Sequence, residues 1–182
     1  MMKKRRMVKV YRFIAIKHFY NLAGYLLPIL AVFVLILGTY GSIGGLYLAP
    51  ADYQQGDAFR IIYVHVPSAF LSLFIYLVMA MAAVIGLIFR IKLADLIVSG
   101  SVFLGSWFTF LALLTGSVWA KPMWGAWWVW DARLTSELIL LFLYLGVIAL
   151  RSAIPEPRVA AKATAVLLML GLANIPIIHY SV

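Results

Sequence analysis

Five long apolar stretches constrain this chain more than any other feature, because each is long enough to cross the hydrocarbon core of a membrane as a helix. Hydrophobic residues make up 65% of the sequence and charged residues 12%, whereas a soluble domain has about 45–50% and about 25% of these classes. The sequence therefore predicts an all-α, polytopic helical bundle that forms a single membrane domain over residues 1–182. The five expected transmembrane helices cover approximately residues 21–44, 66–89, 95–118, 134–150 and 160–178.

The basic residues predict how these helices are oriented. If the N-terminus is cytoplasmic, 12 of the 15 Lys and Arg residues lie inside, and only Arg60, Lys121 and Arg133 lie outside. The basic residues behind the net charge of +9 then serve to fix the topology and to contact lipid headgroups, and they do not indicate binding to nucleic acid. The first stretch is longer than the apolar core of a signal peptide, about 7–15 residues, so we interpret it as a retained anchor.

Several classes of function have no support in the sequence. The chain has no cysteine, which excludes disulfides, thiolate metal sites and covalent attachment of haem through a CxxCH motif. It has no phosphate-binding glycine loop and no paired metal-binding histidines on a helix. No pair of carboxylates falls in the middle of a predicted span, as a proton-driven transporter would require.

The tryptophan segment, residues 119–131, is the densest functional signal and is expected on the outer side. On a helix, Trp124, Trp127, Trp128 and Asp131 would share one face, because their spacing is i, i+3, i+4 and i+7. Such a face suits a large planar apolar ligand. Two alternatives remain open: an interfacial aromatic belt, and a capping role for the aspartate. The candidate residues of the segment are Trp119, Trp124, Trp127, Trp128, Trp130 and Asp131.

Two histidines are expected on the same outer side. His65 precedes Pro67, which suits the first position of a helix, so His65 is expected just outside that helix or at its very end. His179 follows Pro176, where a kink or break is expected. A neutral imidazole at a membrane surface can ligate haem iron, although a hydrogen-bonded interfacial histidine is the alternative for both. His18 is expected on the cytoplasmic side.

A third feature of the outer side is a pair of opposite charges. Arg133 and Glu137 are four residues apart and are expected to form an ion pair on the first turn of the fourth helix.

Several segments together resemble a known family. Residues 124–131 (WGAWWVWD) resemble the WWD motif of haem-handling membrane proteins. Three further segments restrict the resemblance to one family: residues 49–56 (APADYQQG), 60–67 (RIIYVHVP) and 174–181 (NIPIIHYS). These motifs resemble the haem exporter protein C family, the CcmC-type subunits of bacterial cytochrome c maturation. The resemblance extends from about residue 20 to the end of the chain.

This resemblance implies a haem-binding subunit rather than an enzyme. It implies that haem b is held at the outer face of the bacterial inner membrane, with His65 as the axial ligand of the iron and the tryptophan segment around the porphyrin. His179 matches a family histidine that is not the usual second ligand. The implied partners are a periplasmic haem chaperone (CcmE-type), a small membrane subunit (CcmD-type), ABC transporter subunits (CcmA- and CcmB-type) and membrane lipid.

Family members continue beyond this point into an outer loop with a second axial histidine and a sixth helix. The chain ends at Val182, so the sequence is expected to be truncated relative to the family. Two other functions remain as alternatives: a membrane component of a cytochrome c haem lyase, and a scaffold subunit that binds no haem.

Overall fold

The computed structural model describes residues 16–180. The basic residues from Lys3 to Arg12, which contribute to the predicted orientation, and the last two residues lie outside this range. Within it the chain is helical and has no β-strand. The elements in chain order are α1 (Ile16–Ile43), a π-helical turn (Gly44–Leu48), a 3-10 turn (Asp57–Ile61), α2 (Ile62–Phe89), α3 (Lys92–Trp124), α4 (Ala132–Ala153), α5 (Pro157–Gly171) and α6 (Asn174–Tyr180).

In the described part of the chain, five helical segments are long and apolar enough to cross a membrane, which confirms the predicted polytopic helical class. The fifth segment consists of α5 and α6, and it is broken between Gly171 and Asn174. The position of Pro176 explains the break, because a proline has no N–H for the carbonyl four residues earlier and its ring collides with that carbonyl. The five segments are Ile16–Leu48, Asp57–Phe89, Lys92–Trp124, Ala132–Ala153 and Pro157–Tyr180.

The second span begins earlier than predicted. A 3-10 turn at Asp57–Ile61 leads directly into α2, so Pro67 lies inside the helix and not at its first position. The side chain of Arg60 stabilises this start: its guanidinium donates to the Ala49 carbonyl at 3.0 and 3.2 Å and lies 3.3 Å from the Asp57 carboxylate. As a consequence His65 lies in the first turn of α2, at the very end of the helix and not outside it, so the second of the two expected positions is confirmed.

Two tyrosines occupy the centre of the bundle. Tyr76 of α2 and Tyr144 of α4 are completely buried, and their rings meet edge to face with centroids 5.4 Å apart. Each ring lies directly against a glycine of another helix, Tyr76 against Gly171 and Tyr144 against Gly105, where a Cβ atom would collide with it. Small residues allow transmembrane helices to approach closely, and these glycines provide the space for both rings.

Hydrogen bonds between helices involve several buried polar groups. The Tyr144 hydroxyl donates to the Ser72 carbonyl at 2.7 Å, and the Ser72 hydroxyl lies 2.9 Å from a carboxylate oxygen of Glu137. The Asn174 amide of α6 donates to the Ser136 carbonyl of α4 at 2.8 Å. These bonds connect α2, α4 and α6 inside the bundle, where unpaired polar groups are costly.

The expected ion pair between Arg133 and Glu137 is wrong. Glu137 is buried, only 8% exposed, and contacts Ser72 of α2. Arg133 is exposed and lies over the ring of Trp124. Helical spacing predicted that the two side chains could meet, but packing of α4 against α2 turns Glu137 into the bundle.

At the opposite end from the tryptophan segment, one ion pair connects α3 and α4. The Arg151 guanidinium lies 2.9 Å from the Asp95 carboxylate and also donates to the Ser99 hydroxyl.

α1 differs from the other spans because none of its residues is buried. The mutually packed part of the described chain is therefore α2 to α6.

We expect Gly105→Ala to destabilise the bundle by about 1–3 kcal/mol, the usual cost of overpacking a filled core. The added methyl group would collide with the ring of Tyr144, and that ring is buried and held by its hydroxyl group. Thermal unfolding of the purified protein in detergent, followed by circular dichroism, measures the effect.

Gly100→Ala is the matched control on the same helix, because a Cβ there meets nothing within 4 Å. Equal unfolding temperatures for the two variants would contradict the packing role of Gly105.

Candidate functional site

The tryptophan segment is only partly helical. α3 contains Trp119 and ends at Trp124, and residues 125–131 continue as an irregular loop. Gly125 ends the helix because it adopts a left-handed conformation with φ 75°, which favours glycine. Lys121 closes this end: its carbonyl accepts from the Gly125 N–H at 3.0 Å, and its ammonium donates to the Gly125 carbonyl at 2.9 Å.

The helical face predicted for Trp124, Trp127, Trp128 and Asp131 is therefore wrong. That prediction required the helix to continue through the whole segment with its repeat of 3.6 residues. The chain leaves the helix at Gly125, so the spacing of the later residues no longer places them side by side.

Cations lie over two of the exposed indoles. The Lys121 ammonium is 6.0 Å from the ring centroid of Trp127, and the Arg133 guanidinium is 5.9 Å from that of Trp124. Trp124 and Trp127 are 58% and 57% exposed. The loop thus presents aromatic faces with positive groups beside them.

The other two indoles of the loop contact each other. Trp128 and Trp130 meet edge to face with centroids 5.4 Å apart. Trp130 is 75% exposed, whereas the indole nitrogen of Trp128 is buried and has no hydrogen-bond acceptor among residues 16–180. A buried donor of this kind usually has a partner, so the loop holds one polar group whose hydrogen-bonding capacity is unused.

Asp131 caps α4. Its carboxylate accepts from the backbone N–H of Leu134 at 2.7 Å, and its own backbone is extended. Both features define an N-cap. The capping alternative is thereby confirmed, and Asp131 fixes the point at which the loop ends and α4 begins.

His65 lies in a narrow site between α2 and α3. Its Nδ1 atom is 3.0 Å from the hydroxyl oxygen of Thr115, and its ring is edge-on to Trp119 with centroids 5.7 Å apart. At Gly116 a Cβ atom would be 3.0 Å from the Cε1 atom of His65. The imidazole is half-buried, held on one side by a hydroxyl group and fitted against a glycine.

The loop between the first two spans supports the same site. The Trp119 indole N–H donates to the side-chain oxygen of Gln55 at 2.9 Å. Gln55 belongs to a tight turn in which the Asp52 carboxylate accepts from the backbone N–H groups of Gln54 and Gln55 at 2.9 and 2.8 Å. Through Trp119, this turn is connected to the side chain of His65.

The structure does not bring the other histidines to His65. His179 is exposed on α6, and its ring contacts Tyr180 at a centroid distance of 5.4 Å. His18 lies in the first turn of α1. Of the predicted site residues, the structure groups His65 with Trp119 and arranges the remaining tryptophans along the adjoining loop.

Sequence patterns alone did not indicate Thr115 and Gln55. Thr115 lies four residues before Trp119, so a helical α3 places both on one face. That signal is visible only once the helix, predicted to end near residue 118, is extended to include Trp119. Gln55 gives no such signal, because its contact with Trp119 joins residues 64 positions apart.

The fold and this site define a class of protein: a polytopic helical membrane protein with an exposed tryptophan-rich loop and a histidine fixed at its base. Residues 9–182 match the family described as "Heme exporter protein C". The chain belongs to the heme exporter protein C family.

Individual relatives agree with this assignment. The chain is 55% identical over 163 residues to "Heme exporter protein C" of Escherichia coli (strain K12) and 52% identical over 163 residues to that of Haemophilus influenzae; each match covers 90% of this chain. A ccmC-like mitochondrial protein of cytochrome c biosynthesis from Marchantia polymorpha is 45% identical over 150 residues, which are 82% of this chain. The chain spans 66% of the length of the first two relatives and 62% of the third.

We expect Asp131→Ala to lower the free energy of unfolding by about 0.5–2 kcal/mol, the usual cost of losing an N-cap. Asp131→Asn retains a side-chain acceptor and should have little effect. Thermal unfolding in detergent compares the two variants. If Asp131→Asn were as destabilised as Asp131→Ala, the negative charge and not the cap would be the stabilising feature.

Proposed function

We propose that this protein is a haem-binding subunit for the maturation of c-type cytochromes. It holds haem b at the outer face of the bacterial inner membrane, with the tryptophan segment facing the periplasm, and transfers it to a periplasmic haem chaperone. It acts by binding and transfer rather than by catalysis. The observation that carries this proposal is the fixed imidazole of His65 at the base of an exposed aromatic loop.

Three chemical features of haem correspond to three features of the site. Haem iron takes an imidazole nitrogen as an axial ligand, and His65 is the histidine of the site. The apolar macrocycle favours stacking on aromatic rings, and the end of α3 and the loop expose Trp124, Trp127 and Trp130. The two propionates are carboxylates that pair with cations, and Lys121 and Arg133 lie beside the indoles.

Two further observations support the fit. Gly116 leaves space next to the Cε1 atom of His65, where any side chain would press on the imidazole. The unpaired N–H group of Trp128 is a donor that an acceptor on a ligand or partner can use after a small movement of the loop. Trp128 lies in the segment that the motif resemblance assigns to haem, and Gly116 lies against His65, the implied ligand.

Each residue has its own part in this proposal. His65 would hold the iron, Trp119 would support the imidazole, and the loop tryptophans would cover the macrocycle. Asp131 acts indirectly, because it caps α4 and so fixes the end of the loop. When bound, haem supplies an iron centre that accepts the imidazole and two carboxylates that bind cations.

The names of the relatives support the cellular role. They describe haem export and cytochrome c biosynthesis, a process that needs a haem acceptor and other membrane subunits. We propose that these partners are the periplasmic chaperone (CcmE-type), a small membrane subunit (CcmD-type) and an ABC transporter pair (CcmA- and CcmB-type). The exposed position of the loop is compatible with direct transfer to a chaperone.

We expect haem added to the purified protein to produce a Soret band, and His65→Ala to weaken binding more than about 100-fold, since removal of a ligand should exceed the 10–100-fold effect of an outer-shell change. Absorption titration in detergent measures both. His18→Ala, on α1, is the control, and His179→Ala tests the weaker candidate. Unchanged binding in His65→Ala would reject His65 as the ligand. Unchanged binding of haem and chaperone after joint replacement of Trp127 and Trp128 would reject these two indoles as part of the haem site and leave them the role of a membrane anchor.

We also expect the cations beside the loop to recognise the propionates. The wild-type protein should bind haem more tightly than haem dimethyl ester, which lacks both negative charges. The double variant Lys121→Gln, Arg133→Gln should lose most of this preference and bind the ester as the wild type does. Lys162→Gln, an exposed cation of α5, is the control. A preference that survives in the double variant would exclude these two residues.

A further inference from the structure

We propose that Thr115 is a positioning residue that fixes the tautomer of His65, so that the proton stays on Nδ1 and the lone pair of Nε2 is free for a metal. The inference concerns the unliganded protein. Only its consequence for haem affinity rests on the proposed function.

The hydrogen bonds of Thr115 determine the tautomer. A threonine hydroxyl carries a single hydrogen, and that of Thr115 is directed to its own helix, with the Leu111 carbonyl at 2.7 Å and the Ala112 carbonyl at 3.2 Å. The Nδ1 atom of His65 lies 3.0 Å from the same hydroxyl oxygen. Because the hydroxyl hydrogen is already used, the imidazole must donate, and Nδ1 must carry the proton.

The opposite tautomer has no comparable arrangement. With the proton on Nε2, the lone pair of Nδ1 would face a lone pair of the hydroxyl oxygen. The hydroxyl could turn towards Nδ1 only by abandoning Leu111, which would leave two oxygen atoms 2.7 Å apart without a hydrogen between them. Threonine is also restricted at χ1 within a helix.

The neighbours of His65 limit rotation of the ring. The Cε1 atom lies against Gly116, at 3.0 Å from the position of a Cβ atom there, and Trp119 meets the ring edge-on. Trp119 is itself held by Gln55 at 2.9 Å. A ring flip that exchanged Nδ1 for carbon would break the bond to Thr115 and change the atom that lies against Gly116.

The consequence is that Nε2 is the atom of His65 that can ligate. Histidines that bind metals commonly donate their other N–H to an oxygen acceptor, which fixes the orientation of the ring and raises the basicity of the ligand. Thr115 provides this acceptor before any ligand arrives. The sequence resemblance assigns no role to Thr115.

The test uses the unliganded protein first. The chain has three histidines, so ¹⁵N-histidine NMR of the detergent-solubilised protein can resolve each ring and report which nitrogen carries the proton. His65→Gln assigns its signals. We expect the Nδ1–H tautomer for His65 in the wild type and in Thr115→Ser, and loss of this preference in Thr115→Val, which keeps the shape of the side chain but has no acceptor.

Haem titration then measures the effect on binding. Thr115→Val should bind haem about 10–100-fold more weakly, as other outer-shell changes do, and Thr115→Ser should remain near the wild type. Thr109→Val is the matched control, because Thr109 also bonds to its own helix, at 2.8 Å from the Gly105 carbonyl. Thr115→Ala serves as a second variant without an acceptor if Thr115→Val does not fold.

The outcomes separate the two proposals. An Nε2–H tautomer in the wild type, or variants without an acceptor that match the wild type in both tautomer and haem affinity, would overturn the role of Thr115. If the wild type binds no haem but shows the Nδ1–H tautomer that Thr115→Val loses, the role of Thr115 is supported and the proposed function is rejected.

Discussion

The contact between two buried tyrosines and two glycines organises the bundle. Lipid provides little hydrophobic driving force between helices, so close packing and hydrogen bonds must hold them together. Tyr76 and Tyr144 meet each other edge-on, and each fits against a glycine of a further helix. The two rings therefore set the distances among α2, α3, α4 and α5. This spacing in turn lets His65 of α2 reach the helix that carries Thr115.

Hydrogen bonds between buried polar groups restrict how the packed helices can rotate about their axes. The Ser72 residue contacts α4 twice, through its hydroxyl to Glu137 and through its carbonyl to Tyr144. Asn174 joins α6 to the first turns of the same helix. Polar residues inside membrane bundles are costly unless they are paired, so these bonds favour one rotation of α4 over others. The rotation that buries Glu137 also leaves Arg133 outside, beside the tryptophan loop.

Hydrophobic length was enough to predict the five spans, because burial in lipid acts on every residue of a helix. Hydrophobic length did not predict where each helix begins and ends, because single residues determine these positions. Pro67 suggested a helix start, but the 3-10 turn before α2 moved the start upstream. The spacing of Trp124, Trp127 and Trp128 suggested a common face, but Gly125 ends the helix. The contact between Thr115 and His65 could not be predicted, because it depends on which faces of α2 and α3 meet. Haem as the ligand of the tryptophan segment was suggested only by the family resemblance.

The tryptophan loop is anchored at both ends by hydrogen bonds within the protein, which form without a ligand. Gly125 and Lys121 close α3 before it, and Asp131 opens α4 after it. A segment held at both ends has less conformational freedom to lose, so a ligand has less of it to order. Ordering a loop on binding costs free energy, and preorganisation removes much of that cost. If the protein binds and transfers haem as proposed, release to a partner would then leave the loop intact and ready for the next molecule.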